Sequence, residues 1–328
     1  MQAAFYERTG PARAVLQLGE LPDPVPGPGE VRVRLRWSGV NPSDVKSRAG
    51  LRSAVMPFPR VVPHSDGMGE IDAIGPGVDT GRIGERVWVW NAAWGRANGT
   101  ATQYVVLPQQ MAVVLPPATG DEAGACLGIP AMTALHAVLA RGGVAGQRVL
   151  VAGGAGAVGH YALQFCRLLG ARQVLATVSS AEKAAIAHQA GADLAINYRT
   201  ESVAQRVREA TQGQGVDRIV EVDIAANAAL DLELLRPGGT LMVYGSGKPG
   251  FELPFFPLIV NNVSLGFFIV YNLSQADRAH AESTLHGWLA RGELNHAIAQ
   301  RVPLAQIVSA HEAVEQATTP GNVVVEIP

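Results

Sequence analysis

One stretch, QRVLVAGGAGAVGH from Gln147 to His160, constrains the fold of this chain more than any other part of the sequence. Residues 149–151 form the short apolar run that a buried strand of a parallel sheet needs. Gly154, Gly156 and Gly159 follow at G-x-G-x-x-G spacing. In that motif the first glycine allows a tight turn, the second lets backbone approach a pyrophosphate, and the third lets a helix pack on the strand.

A helix is predicted directly after these glycines. One apolar face at helical spacing is formed by Val158, Ala162, Phe165 and Leu169. Gly170 is expected to end the helix. Glycines can simply shape a loop, but a strand before the motif and a helix after it favour dinucleotide binding, because the free N–H groups of the helix suit an anion.

Strands and helices continue to alternate beyond this helix. The later strands are predicted over residues 173–178, 194–198, 217–222, 240–244 and 263–270, and the helices between them over residues 181–190, 201–212 and 225–235. Such alternation is typical of parallel strands joined by right-handed crossovers. The sequence therefore predicts an α/β Rossmann domain over residues 125–267, built on a doubly wound parallel sheet of six strands.

Residues 1–124 follow a different pattern, with short strands separated by proline and glycine turns. Val31, Val33 and Leu35 alternate with arginines, which predicts a half-buried strand with a solvated basic face. This half is predicted to be a β-barrel-type domain. Residues from about 268 to 328, with a helix near 281–290 and a final strand at 323–327, are expected to complete it.

Composition excludes several classes of function. A length of 328 residues suits two domains, and a net charge of -2 gives no reason to expect nucleic acid or an anionic membrane as partner. Residues 253–276 carry no charge, but prolines and asparagines interrupt them, so they are predicted to form a buried strand region rather than a membrane span. The first residues do not resemble a signal segment, and the protein is expected to be cytoplasmic.

The residues after the second predicted strand indicate which dinucleotide is bound. Sites that prefer NAD carry Asp or Glu about 20 residues beyond the glycines, where the carboxylate binds the ribose. This chain has Ser179 there, so no carboxylate would repel a 2′-phosphate. Lys183 is close enough in sequence to reach that phosphate, whereas Glu182 beside it argues the other way. The sequence therefore favours NADPH over NADH.

The sequence offers no candidate for metal or nucleophile chemistry. It has only two cysteines, eight scattered histidines, and no C-x-x-C, H-E-x-x-H or G-x-S-x-G motif. Hydride transfer remains, in which the cofactor carries the chemistry. Asn41, in the run NPSD, is a candidate to bind an oxygen that gains negative charge, although Asn before Pro is also a common turn opener. The polar residues 64–66 are predicted to form a hydrogen-bonded turn.

Short motifs are spread along the chain: PGEV at 28–31, GVNPSD at 39–44, DGMG at 66–69, GERV at 84–87, the glycine motif, INYR at 196–199 and PGG at 237–239. In these motifs the chain resembles the zinc-independent quinone oxidoreductases of the medium-chain dehydrogenase/reductase superfamily, the family that includes zeta-crystallin. The resemblance implies a GroES-like catalytic domain beside the Rossmann domain, NADPH as cofactor, and no metal. Zinc-dependent relatives have a cysteine near Val40 and a histidine near Ser65, which this chain lacks.

The resemblance also implies roles for individual residues. Asn41 would lie beside the nicotinamide and the substrate, and Lys46, where the family often has an aromatic residue, would help to hold the substrate oxygen. The other implied cofactor contacts are Thr133 at the nicotinamide, Gly156, Ala157, Val158 and Gly159 at the pyrophosphate, Ser179, Lys183 and Tyr198 at the 2′-phosphate, Asn227 at a ribose, and Tyr244, Gly245, Ser246, Phe268, Ile269 and Val270 along the cofactor.

The function implied is reduction of a quinone or an α,β-unsaturated carbonyl compound by hydride transfer from NADPH, with the proton coming from water. An enoyl-thioester or other double-bond reductase of the same superfamily is the nearest alternative, and an NADPH-binding sensor or structural protein with little turnover is another. A homodimer through the edge of the Rossmann sheet is expected, because an uncovered apolar edge strand promotes association. Neither nucleic acid nor a membrane is expected as partner.

Overall fold

The computed structural model describes residues 1–317 and 319–328. The chain forms two compact units, which we call the barrel unit (Met1–Pro130 with Ser283–Pro328) and the Rossmann unit (Ala131–Glu282). The sequence predicted domain boundaries near residues 124 and 267. These boundaries stay a prediction, and the two units are used below as the structure divides them. No helix among the described residues is long and apolar enough to span a membrane.

The barrel unit begins with short strands and helices. The strands are β1 (Gln2–Phe5), β2 (Gln17–Glu20), β3 (Glu30–Val40), β4 (Asp66–Ile74), β5 (Arg86–Val89), β6 (Tyr104–Pro108) and β7 (Ala112–Val114). The helices are α1 (Ala12–Val15), α2 (Pro42–Arg48) and α3 (Asp121–Gly124). The alternation predicted on β3 is confirmed, because Val31, Val33 and Leu35 are buried while the arginines between them are half-buried or exposed.

The Rossmann unit alternates strands and helices as predicted. Its elements are α4 (Met132–Leu139), β8 (Arg148–Val151), α5 (Ala157–Leu168), β9 (Gln173–Val178), α6 (Ala181–Gln189), β10 (Leu194–Asn197), α7 (Val203–Ala210), β11 (Val216–Glu221), α8 (Ile224–Leu234), β12 (Leu235–Val243), α9 (Phe255–Val260) and β13 (Ser264–Phe267). The strands pair in parallel in the order β10-β9-β8-β11-β12-β13. The predicted doubly wound sheet is confirmed, and its strand order reverses between β8 and β11.

Residues 253–276 correct the sequence-based prediction of a buried strand region. They contain the short helix α9 before the edge strand β13. Phe255 and Phe256 of α9 are 74% and 72% exposed, and Ile259 and Val260 are exposed as well. Pro254 precedes the helix, and the backbone then turns at Asn262, whose φ is 51°. The apolar residues of α9 therefore form a surface beside the sheet edge and are not part of a core.

The chain ends with α10 (Gln275–Arg291), β14 (Ile298–Pro303), α11 (Ile307–Gln316) and β15 (Asn322–Glu326). Strand β15 pairs antiparallel with β3 inside the larger sheet of the barrel unit, whose order is β14-β15-β3-β4-β5-β7 with β6 on β3. Valines of β3 and β15 share one buried apolar cluster. Residues from the two ends of the sequence therefore build one core.

Candidate functional site

The carboxyl ends of β8 to β13 lie at one edge of the Rossmann sheet, which we call the carboxyl edge. The predicted cofactor residues follow these ends in order: Gly156, Ala157, Val158 and Gly159 after β8, Ser179 and Lys183 after β9, Tyr198 after β10, Asn227 after β11, Tyr244, Gly245 and Ser246 after β12, and Phe268, Ile269 and Val270 after β13. Thr133 differs, because it is buried in α4. Sheets of this kind bind ligands at this edge, beside the point where the strand order reverses.

The glycine turn comprises residues 153–159. The sequence predicted that Gly154, the first glycine of the motif, allows the tight turn, and the structure differs at this point. The left-handed backbone lies at Gly153, with φ of 70°, and not at Gly154. Gly154 is needed for packing, since a Cβ there would lie 2.7 Å from the Cβ of Ala176 on β9. A Cβ on Gly159 would lie 2.2 Å from the carbonyl oxygen of Gly153. Gly156 is exposed and caps the start of α5, so the free N–H groups of this helix face the turn.

The end of β9 presents hydroxyl groups and a lysine. The Ser180 hydroxyl accepts a hydrogen bond from the Lys183 N–H at 3.2 Å and thereby caps α6. Ser179 directly follows the strand and is half-buried. On the neighbouring strand β10, Asn197 pairs with Val178, so Tyr198 lies at the same edge and is half exposed. These groups, with the N-terminus of α6, suit an anion.

A cavity of about 580 Å³ in the Rossmann unit is lined by Tyr244, Gly245, Ser246, Phe268 and Ile269, all predicted cofactor residues. Its wall also includes His136, which was not among the predicted site residues. The His136 ring contacts the Phe268 ring with centroids 4.6 Å apart. Burial lowers the pKa of His136, so its ring is mainly neutral at pH 7. Its position three residues after Thr133, on one helix face, was the available signal.

In the barrel unit, Asn41 opens α2 and is almost completely buried. Its N–H donates to the Asp44 carboxylate at 2.8 Å, and its side chain accepts from the Asp44 N–H in a capping box. Its Nδ2 donates to Asp66 Oδ2 at 2.9 Å. The Asn41 side chain also forms a hydrogen bond with the Asp44 carboxyl group, so the amide is held between the two acids. Lys46 lies on the same helix, half-buried.

Asp66 connects this group to the barrel core and was not predicted to be part of a site. Its Oδ2 also accepts from the Ile129 N–H at 2.9 Å, while its Oδ1 is buried and has no hydrogen-bond partner among the residues that the structure describes. Burial, with the charge of Asp44 added, raises the pKa of Asp66 well above its ordinary value. Burial also raises the pKa of Asp44 to about 7, against the opposing effect of the Asn41 N–H. The pair of carboxyl groups, Asp44 and Asp66, therefore retains a proton near neutral pH.

Residues 64–66 belong to a buried hydrogen-bond chain, and not to the simple turn that was expected. The Thr100 hydroxyl donates to the Asp66 carbonyl at 2.5 Å, so Thr100 accepts from the Ser38 hydroxyl at 2.7 Å. Ser38 in turn accepts from Nδ1–H of His64 at 2.8 Å. The His64 Nε2 then accepts from Nε2–H of His311 at 2.9 Å. This order assigns both tautomers, because each hydroxyl has one proton to give.

The backbone of His64 is left-handed, with φ of 76°, which a residue with a side chain adopts at a cost. Its two ring hydrogen bonds compensate that cost inside the core. Among the described residues, no group of three or more His, Cys, Asp or Glu side chains could hold a metal ion.

Two families match this chain. Residues 27–117 match the alcohol dehydrogenase GroES-like domain, and residues 157–285 match the family described as zinc-binding dehydrogenase. A quinone oxidoreductase of Pseudomonas aeruginosa is 31% identical over 323 residues, which cover 94% of this chain and 95% of that protein. A 2-haloacrylate reductase of a Burkholderia species is 30% identical over 334 residues, which cover 99% of this chain and 98% of that protein.

Solved structures agree with these matches. The crystal structure of an NAD-dependent alcohol dehydrogenase has a TM-score of 0.91 and 28% identity, with 100% of both chains covered. A mycobacterial protein complexed with NADPH has a TM-score of 0.87 and 28% identity, with 99% of both chains covered. The fold and the carboxyl edge thus define an oxidoreductase of the medium-chain dehydrogenase/reductase superfamily. Within it, the chain belongs to the quinone oxidoreductase family, and the resemblance noted in the sequence is confirmed.

Proposed function

We propose that this protein is an NADPH-dependent reductase of quinones or α,β-unsaturated carbonyl compounds that transfers hydride without a metal. The observation that carries the proposal is the convergence of the predicted cofactor residues on the carboxyl edge. The mycobacterial relative complexed with NADPH supports the same cofactor. NADH is the alternative, because another relative is named an NAD-dependent enzyme.

The residues of the carboxyl edge fit such a dinucleotide. At Gly156 the exposed start of α5 offers free N–H groups to a pyrophosphate without a side chain in the way. Ser179, Lys183 and the start of α6 offer hydroxyl groups and a positive charge to a 2′-phosphate. When bound, NADPH would supply the hydride.

In the barrel unit, Asn41 is suited to polarise a carbonyl group. Its Nδ2 is held at Asp66 by a hydrogen bond of 2.9 Å, and an amide N–H in this position would donate to a substrate oxygen that gains negative charge. Lys46, one turn further along α2, would add a positive charge for the same oxygen. The proton that completes the reduction would come from water.

The names of two relatives support the substrate class. One is a quinone oxidoreductase and the other a 2-haloacrylate reductase. Quinones and 2-haloacrylates share a carbon–carbon double bond conjugated to a carbonyl or carboxyl group, which makes a carbon atom electrophilic. We therefore propose that the substrate is a small molecule with a conjugated, electron-poor double bond.

The test is steady-state kinetics with NADPH and NADH against a quinone, an enone, a 2-haloacrylate and an enoyl thioester. We expect Lys183→Ala to raise KM for NADPH about tenfold and to leave KM for NADH unchanged, because about 1.4 kcal/mol of phosphate binding is lost. Arg208→Ala, which removes an exposed positive charge of α7, is the control. Equal use of NADH and NADPH by the wild type would refute the cofactor, and turnover confined to enoyl thioesters would refute the substrate class.

We also propose a homodimer that joins two Rossmann sheets at β13. Within the described residues this strand pairs only with β12, and Phe267 at its end and Phe255 and Phe256 of α9 are exposed. An apolar surface beside an open strand edge favours association. Light scattering after size-exclusion chromatography should give twice the chain mass, and Phe256→Asp should shift the protein toward monomer. A monomeric wild type at micromolar concentration would refute the dimer.

A further inference from the structure

Two carboxyl groups are buried against each other below the carboxyl edge. Glu221 is the last residue of β11 and is fully buried, and Asp231 on α8 is 2% exposed. The two side chains are within hydrogen-bond reach of each other. No lysine or arginine in the described parts of the chain pairs with either of them, and the other ionisable groups that face Glu221 are Asp223 and Tyr244. The pair therefore has no cation to neutralise it.

The hydrogen bonds of the pair leave room for one proton. Glu221 Oε1 accepts from the Asp223 N–H and from Asn227 Nδ2, the latter at 3.0 Å. Glu221 Oε2 and Asp231 Oδ2 are buried and receive no N–H or O–H donor from residues 1–317 or 319–328. A single proton between these two oxygens gives both of them a partner and removes one of two negative charges from the interior.

The donors decide which carboxyl group keeps the proton. Two N–H groups on Oε1 favour the ionised form of Glu221. A proton on Asp231 would then be donated to Glu221, whose Oε2 is the oxygen without a donor among the described residues. Consistent with this assignment, burial and then the negative charge of Glu221 raise the pKa of Asp231 far above its ordinary value.

We propose that Glu221 and Asp231 share one proton and act together as a positioning pair, which orients Asn227 and the loop at residues 244–247 for the ribose part of the cofactor. This inference rests on the proposed function for its ligand. Neither residue touches the cofactor in this proposal. Their effect passes through Asn227 and the loop.

The amide of Asn227 is oriented by the pair. Its Nδ2 donates to Glu221, which leaves Oδ1 as the group available to a ligand. An acceptor oxygen selects a hydroxyl donor such as a ribose hydroxyl and disfavours a phosphate or carboxylate. Asp231 lies four residues after Asn227 on the same face of α8, so both side chains reach the Glu221 carboxyl group.

The loop at residues 244–247 is attached to the same segment. The Tyr244 N–H donates to the Glu221 carbonyl oxygen at 3.1 Å, and the Gly247 N–H donates to Asp223 Oδ1 at 2.7 Å. The Ile224 N–H donates to the Gly245 carbonyl oxygen at 3.3 Å. A second negative charge on the pair would push apart the strand end and the helix that hold this loop.

The test compares Asp231→Asn, which keeps a donor toward Glu221 without a titrating proton, with Asp231→Ala, which removes the donor. NADPH binding is measured by nicotinamide fluorescence from about pH 6 to about pH 10. We expect the wild-type Kd to rise as pH passes through the raised pKa, and the Kd of Asp231→Asn to lack this rise. At neutral pH, Asp231→Ala should raise Kd and KM for NADPH about tenfold with little change in kcat, and Asp231→Asn should restore them.

Glu233→Gln is the matched control, because Glu233 is exposed on the same helix and pairs with Arg208 at the surface. The Kd of Glu233→Gln for NADPH should depend on pH as the wild-type Kd does. A Kd that rises equally with pH in wild type and Asp231→Asn, or an Asp231→Ala variant that binds NADPH as the wild type does, would overturn the proposal.

A second readout needs no NADPH. A carboxyl group whose pKa is raised in the folded state adds stability that is complete at low pH and is lost as pH rises through that pKa. The melting temperature of the wild type should therefore fall relative to Asp231→Asn as pH rises, and parallel melting curves would refute the shared proton. A wild type that binds no NADPH at any pH would refute the proposed function and the positioning role, while the melting curves would still support or refute the shared proton.

Discussion

Replacing Gly159 by Ala tests how α5 is fixed to the glycine turn. The new Cβ would lie 2.2 Å from the carbonyl oxygen of Gly153 and 2.9 Å from the Cα of Gly154. Real Cβ contacts essentially never fall under 3.0 Å, so the helix start must move by at least the 0.8 Å between 2.2 and 3.0 Å. This movement displaces the N–H groups that we assign to the pyrophosphate.

The magnitude follows from two opposing effects. Overpacking of this kind costs about 1–3 kcal/mol, and alanine in a helix gains about 1 kcal/mol over glycine. We expect Gly159→Ala to lower the free energy of unfolding by up to about 2 kcal/mol in urea denaturation. Because a displacement near 1 Å can cost about 100-fold in a site that depends on geometry, the NADPH Kd should rise by at least about tenfold.

Gly156→Ala is the control that separates packing from ligand contact. Its Cβ would lie 3.2 Å from the Gly153 oxygen, and its φ of -77° suits any residue. The free energy of unfolding should change by less than about 1 kcal/mol, while NADPH binding weakens because a methyl group stands where the pyrophosphate approaches. Unchanged stability and NADPH affinity in Gly159→Ala would refute the packing argument, and normal NADPH affinity in Gly156→Ala would refute the position of the pyrophosphate.

Three further predictions concern the barrel unit and the helix ends. Asn41→Ala should lower kcat/KM for the preferred acceptor about 100-fold in steady-state assays, because a donor to the developing oxyanion is lost. The Kd for NADPH should change less. An unchanged kcat/KM would contradict this role of Asn41. Burial lowers the pKa of His64 to about 3 and that of His311 well below its ordinary value. Both neutral rings therefore stabilise the folded state above pH 6.5. As pH falls below 6.5 this stability is lost, by up to about 1.4 kcal/mol per pH unit for each histidine. His311→Gln should therefore lose less stability than the wild type between pH 7 and pH 5 in urea denaturation, and an equal loss contradicts the buried neutral pair. The buried Arg218 donates to three carbonyl oxygens at the end of α4. Arg218→Ala should therefore lower the free energy of unfolding by about 3 kcal/mol or more, whereas replacing the exposed Arg208 by Ala should lower it by less than about 1 kcal/mol. Equal losses of stability in the two variants would contradict this difference.

The Rossmann sheet could be predicted because its signals are local. Apolar runs of strand length, helical spacing and glycine stops all lie within a few residues of each other. Strand β9 was predicted over residues 173–178 and has those bounds, and β8, β10, β11 and α6 were predicted within two residues of theirs. The fold class followed from the order of these elements.

The polar clusters could not be predicted, because strand pairing and packing create them. Asp66 meets Asn41 only because Asp66 pairs with Gly39 across β3 and β4. His64 and His311 are 247 residues apart in the sequence, and no local pattern connects them. Whether α9 is buried or exposed depends on whether a neighbouring element packs against it, and apolar composition does not encode that. For Glu221, a carboxylate at the end of a buried strand was the available signal.

The roles of the predicted site residues at the carboxyl edge stay a prediction. Their common placement after the ends of β8 to β13 follows from the topology that the sequence had indicated. The contacts of these residues with a cofactor depend on side-chain geometry in a complex, which strand order does not determine.

Transfer of deuterium from NADPH labelled at C4 of the nicotinamide tests the central claim most directly. The acceptor is an enone or a 2-haloacrylate, the metal chelator EDTA is present, and the product is analysed by mass spectrometry and NMR after a single turnover. We expect one deuterium bound to carbon in the reduced product for each NADPH oxidised, transferred from one face of the nicotinamide. The transfer should be slower in Asn41→Ala. Reduced product without deuterium, or no oxidation of NADPH with any acceptor while the cofactor still binds, would contradict it.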